Sequence, residues 1–216
     1  MRSFLFIVGT ILLSSCSNDE IKFSEIEDRL KQHAPDSAFQ YFPAVGTTAD
    51  QRGEGYYVRK WASEVLLNLR EPVLYNYLGE GEFVRLIWLR TFDNSIVVRL
   101  SKFNDTVYAD IKELKSKSSA NDVPKILRDT ATKLSLQKWW QILKTLQENN
   151  YWNETRLDTT IEAKDGIAWF LECKLRDKYH YIKRWDDGSF SSKDLNLYGS
   201  ELVNIASDYV LMKSSK

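Results

Sequence analysis

Apolar and polar positions recur with different periods along the chain, and each change of period marks a new element. Phe4 to Leu13 (FLFIVGTILL) is a ten-residue run without charge. Ser24-Glu25-Ile26-Glu27 has Ser at an N-cap and Glu three positions later, the capping-box pattern. It predicts a short helix running to about His33, ahead of Pro35. Pro35, Pro43, Gly46, Gly53 and Gly55 mark residues 34 to 55 as loop. Trp61, Val65, Leu66 and Leu69 recur at helical spacing and predict a helix over Tyr57 to Arg70, stopped by Pro72. The period then drops to two. Val84/Leu86/Trp88, Ile96/Val98/Leu100 and Val107/Ala109/Ile111 alternate with polar or mixed residues, with turns at Asp93-Asn94-Ser95 and Asn104-Asp105. This predicts a three-stranded meander over 83–92, 96–103 and 107–115, with one face buried.

Residues 116 to 133 are polar and weakly patterned, with Pro124 inside, and no element is predicted there. Ser135 can cap a strongly amphipathic helix bearing Leu136, Trp139, Trp140, Leu143 and Leu146, which ends near Asn149-Asn150. Ile167 to Leu175 and Tyr179 to Trp185 read as a hairpin. Ser191 or Ser192 can cap a last helix with Leu195, Tyr198, Leu202, Ile205, Ala206 and Tyr209 on one side. The expected class is therefore α+β: an antiparallel sheet, made of the meander plus the C-terminal hairpin, with helices covering one face.

The hairpin admits two registers. A turn at Arg176-Asp177 sets Cys173 opposite His180. A turn at Arg176-Asp177-Lys178 sets Cys173 opposite Tyr181 and Trp169 opposite Trp185. The second is preferred here because it gathers Trp169, Leu171, Cys173, Tyr179, Tyr181 and Trp185 on one face, although it also places Lys183 there.

Composition changes the reading of the first segment. The ten-residue run follows Met1-Arg2-Ser3 and is half the roughly 20 residues that a membrane-spanning helix needs. It suits a secretory signal. Leu13-Ser14-Ser15-Cys16 closes it, and this ending resembles the lipobox of bacterial lipoproteins. The resemblance implies a signal peptide over 1–15 and lipid on the Cys16 thiol; residues 16–23 then read as the lipidated Cys and a tether, and the length of 24–216 suits a single domain. Two or more acyl chains hold a protein stably on a membrane. Asn18-Asp19-Glu20 resembles the acidic export signal of surface lipoproteins of Bacteroidota, and reads equally as a solvated tether. The expected site is the cell envelope, at the outer membrane, with surface exposure left open.

Loss of residues 1–15 would remove one base, Arg2, and leave one more acidic than basic residue. Such a balance gives no electrostatic case for nucleic acid. The other cysteine, Cys173, has no internal disulfide partner once Cys16 carries lipid, so stability must come from packing. Seven Trp, eleven Tyr and ten Phe supply the area for it.

The most distinctive stretch is Asp165-Gly166-Ile167-Ala168-Trp169-Phe170-Leu171-Glu172, followed by Tyr179-His180 and Arg184-Trp185. It resembles a DG-x-x-W-x-LE … YH-x-x-x-RW pattern of bacterial proteins without an assigned function, over about the last third of the chain. The resemblance implies no activity. Trp169, Glu172, His180, Arg184 and Trp185 are the candidate binding residues.

Signatures of other chemistries are weak. His33 and His180 are the chain's histidines and show no metal-ligand spacing, and no metal or other cofactor is expected. Asp186-Asp187-Gly188-Ser189 opens like a calcium loop but lacks the later acids. Gly79-Glu80-Gly81-Glu82 is acidic and would repel phosphate. No Gly-x-Ser-x-Gly elbow exists. A Cys173–His180 dyad depends on register and on a thiolate-forming environment; the plainer reading is a buried inert thiol. Glu172 could serve a glycosidase-like pair or an ordinary cross-strand ion pair. Lys174, Arg176, Lys178, Lys183 and Arg184 interleave with aromatics, which suits an anionic surface or a solvated strand face. The expectation is a non-catalytic binding or interaction domain, with an envelope protein or a glycan as partner. The alternative is an envelope hydrolase using carboxylates near the hairpin.

Overall fold

A computed structural model describes residues 23–31, 41–43, 54–116, 122–154, 166–186 and 195–214. The signal segment, Cys16, the tether up to residue 22, most of the predicted 34–55 loop, the Asp187-Gly188-Ser189 turn and the caps at Ser191 or Ser192 lie outside them. The helices are α1 (Phe23–Lys31), α2 (Glu54–Asn68), α3 (Leu136–Glu148) and α4 (Ser200–Ser214). The strands are β1 (Glu82–Arg90), β2 (Ser95–Phe103), β3 (Thr106–Leu114), β4 (Ile126–Leu134), β5 (Ile167–Leu175) and β6 (Lys178–Asp186). A 3-10 turn (Tyr151–Asn153) follows α3, and a π turn (Leu195–Gly199) leads into α4. Among the described residues, no helix is long and apolar enough to cross a membrane.

The six strands form one antiparallel sheet in the order β4-β3-β2-β1-β5-β6. The class is α+β, as the pattern predicts. The hairpin β5–β6 adds to the free side of β1, so β1 sits inside the sheet with neighbours on both sides. β4 has no counterpart in the sequence reading. It is an edge strand whose residues are exposed or half-exposed throughout, so neither face carries an apolar stripe to reveal its period. Pro124 stands just before it, where a proline costs no ladder bond.

Helices lie on both faces, where the alternation implied one. On the first face, Val84, Leu86, Val98, Leu100, Ala109, Ile111, Trp169 and Leu171 pack under Trp139, Ile142 and Leu146 of α3 and Tyr198, Leu202 and Ile205 of α4. An ion pair between Lys138 and Glu201 ties the two helices together. On the second face, Ile87, Leu89, Val97, Phe170 and Tyr181 meet Ala62, Val65, Leu66 and Leu69 of α2, with Tyr41 and Phe42. Leu30 of α1 joins Leu74, Tyr77, Phe83 and Phe103 on the same side. Two-sided cover explains why β1 is buried from Phe83 through Leu89.

It also corrects the hairpin register. Leu175 pairs with Lys178, Cys173 with His180 and Trp169 with Arg184, so the turn is Arg176-Asp177. Arg176 takes the left-handed backbone (φ 52°) that a two-residue hairpin turn uses at its first position. The preferred alternative fails because it counted apolar residues on one face, whereas both faces are buried. Trp169, Leu171 and Cys173 share a face with His180, Ile182 and Arg184. Tyr179, Tyr181 and Trp185 lie on the other, with Ala168, Phe170 and Glu172.

Candidate functional site

The second face carries a buried row of charge. Glu172, Arg85, Arg99 and Asp110 are register partners in sequence across β5, β1, β2 and β3. Arg85 holds Glu172 through Nε (2.8 Å) and Nη2 (2.6 Å). Arg99 holds Asp110 at 2.9 Å. The two arginines face each other, a repulsive arrangement across a strand pair. Glu71 resolves it: one carboxylate oxygen takes Arg99 Nε at 2.9 Å and Arg85 Nη1 at 3.3 Å, and the other takes Lys112 Nζ at 2.9 Å. Glu27 of α1 closes the network on Arg99 (2.9 Å) and Lys112 (3.2 Å).

Burial would raise the Glu71 carboxyl, but Arg99, Lys112 and Arg85 outweigh it and hold the group well below the usual carboxylate range. Asp110 is pushed up to about 7 by burial and by Glu27 and Glu71, against the pull of Arg99 and Lys112. Burial also raises Glu172, although Arg85 and the Tyr179 hydroxyl (2.8 Å) oppose it. A raised carboxyl is what a general acid needs. Glu172, however, is fully buried and held by Arg85 and Tyr179, so the cross-strand ion pair is the arrangement present.

The remaining candidates of the hairpin separate. Trp169 is fully buried in the core with Trp139 and Tyr198. His180 is buried against Tyr151, ring centroids 5.1 Å apart and nearly perpendicular. Arg184 pairs with Glu154 at 2.9 Å. Cys173 does lie across from His180, but burial pushes its thiol far up, and its side-chain hydrogen bond is with Tyr151. A thiol so held is no nucleophile at neutral pH. Trp185 borders open space.

That space is a cleft of about 460 Å³ between α2 and one end of the sheet. α2 contributes Tyr57, Trp61, Glu64 and Asn68. The sheet end contributes Arg90, Thr91 and Ser95, and Leu114 with the two residues after it. Trp185 of β6 closes one side. Tyr57 is 66% exposed. Arg90 is fixed in place by Asp93 (2.6 Å) and the Asn94 carbonyl (2.8 Å). The Trp185 indole Nε1–H is buried and has no acceptor among the described residues.

Sequence reasoning missed the α2 side of this cleft. Its signal was present: Tyr57, Trp61, Glu64 and Asn68 are spaced by four, three and four residues, a second helical stripe beside the apolar one. The charged row was missed because Arg85, Arg99 and Asp110 occupy the polar positions of alternating strands, which ordinarily face water.

The geometry defines a class: an antiparallel α+β domain covered on both faces, with its charged row sealed inside and an aromatic cleft at one end of the sheet. No protein-family model matches the chain, and no curated protein matches it in sequence.

Proposed function

We propose that the protein is an envelope lipoprotein, anchored through Cys16, whose domain holds a ligand in the aromatic cleft without transforming it. The cleft carries this reading. It combines exposed aromatic surface with a few polar groups, as ligand sites do. The strongly perturbed carboxyls Glu71, Asp110 and Glu172 are saturated by Arg85, Arg99 and Lys112 and do not line it. The lipobox-like ending at Cys16 supports the anchor, and the Asn18-Asp19-Glu20 run after it supports placement in the outer membrane.

The anchor is tested by Cys16→Ala, which should move the protein from the membrane fraction to the soluble one; unchanged retention would overturn the lipoprotein reading. The non-catalytic reading is tested at Glu64, the acid that lines the cleft. Glu64→Gln should leave a captured ligand chemically intact, as in the parent. Ligand turnover by the parent that disappears in Glu64→Gln would instead make this an envelope hydrolase.

A further inference from the structure

We propose that α1 is a proton-governed latch: Glu27 on the helix and Asp110 on β3 compete for one nitrogen of Arg99, so a proton on Asp110 docks α1 on the sheet and loss of that proton releases it. This goes beyond the binding role proposed above and does not depend on it.

Of the α1 side chains described, Glu27 and Leu30 are buried, and Ser24, Glu25 and Asp28 face water. Leu30 sits among Leu74, Tyr77, Phe83 and Phe103. Glu27 meets Arg99 Nη2 at 2.9 Å and Lys112 Nζ at 3.2 Å. A helix of 9 residues is shorter than the roughly 12–15 at which isolated helices become even marginal in water. α1 therefore keeps its form only while these contacts hold it to the sheet.

The charge row beneath it does not balance. Among the described residues it holds three cations, Arg85, Arg99 and Lys112, and four carboxyls, Glu27, Glu71, Asp110 and Glu172. Glu172 is held by Arg85 and Tyr179, and Glu71 is shared by all three cations. Glu27 and Asp110 are left in competition, and their contacts meet at one atom. Arg99 Nη2 donates to Glu27 Oε2 at 2.9 Å and lies 2.9 Å from Asp110 Oδ2, which has no hydrogen bond among the described residues. Two ionised carboxylates on one nitrogen repel each other, and a proton on either removes the repulsion.

The surroundings select Asp110 as the group that carries the proton. Burial pushes it up to about 7, with Glu27 and Glu71 adding to the shift and Arg99 and Lys112 opposing it. β4 sets Ala131 opposite it, with Asp129 and Lys133 two residues to either side on that face. Burial would raise Glu71, but its three cations hold it well below the usual carboxylate range. Burial would lower Arg99 and Lys112, but the acids around them outweigh it and raise both. These three groups therefore keep their charge near neutral pH, where Asp110 titrates. Release of α1 takes away the Glu27 charge and lets water in, which moves Asp110 back toward its ordinary 3.8. Docking is thus strongest in acid and weakens as pH rises through 7, by at most about tenfold per pH unit. Where Cys16 carries the anchor, release adds 9 residues to the tether, about 30 Å of extended chain.

The test is hydrogen exchange by mass spectrometry on the full chain in detergent, at about pH 5 and about pH 8, with rates corrected for intrinsic exchange. Protection of α1 should fall by about 10–100-fold from the lower to the higher pH, while α3 stays protected. Asp110→Asn keeps the shape of the protonated carboxyl and should hold α1 protected at both pH values. Glu27→Gln should leave α1 weakly protected at both, with most of the pH response gone. Equal protection of α1 in the parent at both pH values overturns the latch, as does a pH response that survives Asp110→Asn. Loss of α3 protection together with α1 would mean that the whole domain opens, and the latch falls. Should Asp110→Asn not fold, Glu27→Gln decides: an undiminished pH response of α1 in that variant sinks the proposal.

Discussion

Arg85 and Arg99 oppose each other at the centre of the sheet, and Glu71 bridges them. Removing one partner of a buried ionic group leaves the others uncompensated, which costs about 3–5 kcal/mol. Glu71→Ala should therefore lower the unfolding free energy by about that amount in urea titrations; a loss below about 1 kcal/mol would show that the arginines find other partners. Asp110 makes a prediction of opposite character. Its folded pKa of about 7 stands above the ordinary aspartate value of 3.8, so between those values the folded state holds a proton that the unfolded state has released. That contribution is fully present below about pH 4 and fades as pH rises through 7, with a slope of at most about 1.4 kcal/mol per pH unit. Burial gives Glu172 the same sign. Glu71 has the reverse sign: its stabilisation is present above its ordinary pKa and is lost only in stronger acid. Asp110→Asn should flatten the stability profile between pH 4 and 7, and an unchanged slope would assign the proton elsewhere. Cys173→Ser adds a polar hydroxyl to a fully buried site. It should cost about 1–3 kcal/mol without altering ligand binding, as read by thermal melts beside the titrations.

At the scale of elements, helix ends deliver the functional groups. α2 stops in a Schellman motif: Glu71 N–H bonds the Leu66 carbonyl (2.9 Å), Arg70 N–H bonds that of Leu67 (3.0 Å), and Arg70 takes the left-handed backbone (φ 54°). Pro72 then prevents continuation, and the chain reverses with Glu71 directed at the arginines. The same helix shows two stripes, one apolar toward the sheet and one aromatic-polar along the cleft. α3 begins where Ser135 accepts the Lys138 N–H at 3.1 Å, as the sequence predicts. Ser135→Ala should cost about 1 kcal/mol, measured by chemical denaturation. A neutral result would mean that packing by Trp139, Ile142 and Leu146 holds that end unaided. α1 was expected to start from a cap at Ser24, but the helix already includes Phe23, so Ser24 lies in its first turn.

At the scale of the whole molecule, the α+β class, the meander, the hairpin's existence and the last two helices were legible because each has its own hydrophobic period. Three things were not. β4 has no stripe because it is an edge strand without full cover. The register of β5–β6 was ambiguous because its choice depends on how many faces the sheet buries, and alternation in one strand cannot report a cover supplied from elsewhere in the chain. The candidate site was legible only in Trp185. Trp169, Glu172, His180 and Arg184 stand close in sequence, but the pleat sends Glu172 to one face and the other three to the opposite one. Local order along the chain thus determined which elements form, since propensity and period act within a few residues. The tertiary structure alone decided which charges are buried together and which aromatics border open space. Those outcomes depend on contacts such as Glu71 with Arg99 and Arg85 with Glu172, between residues that no local pattern links.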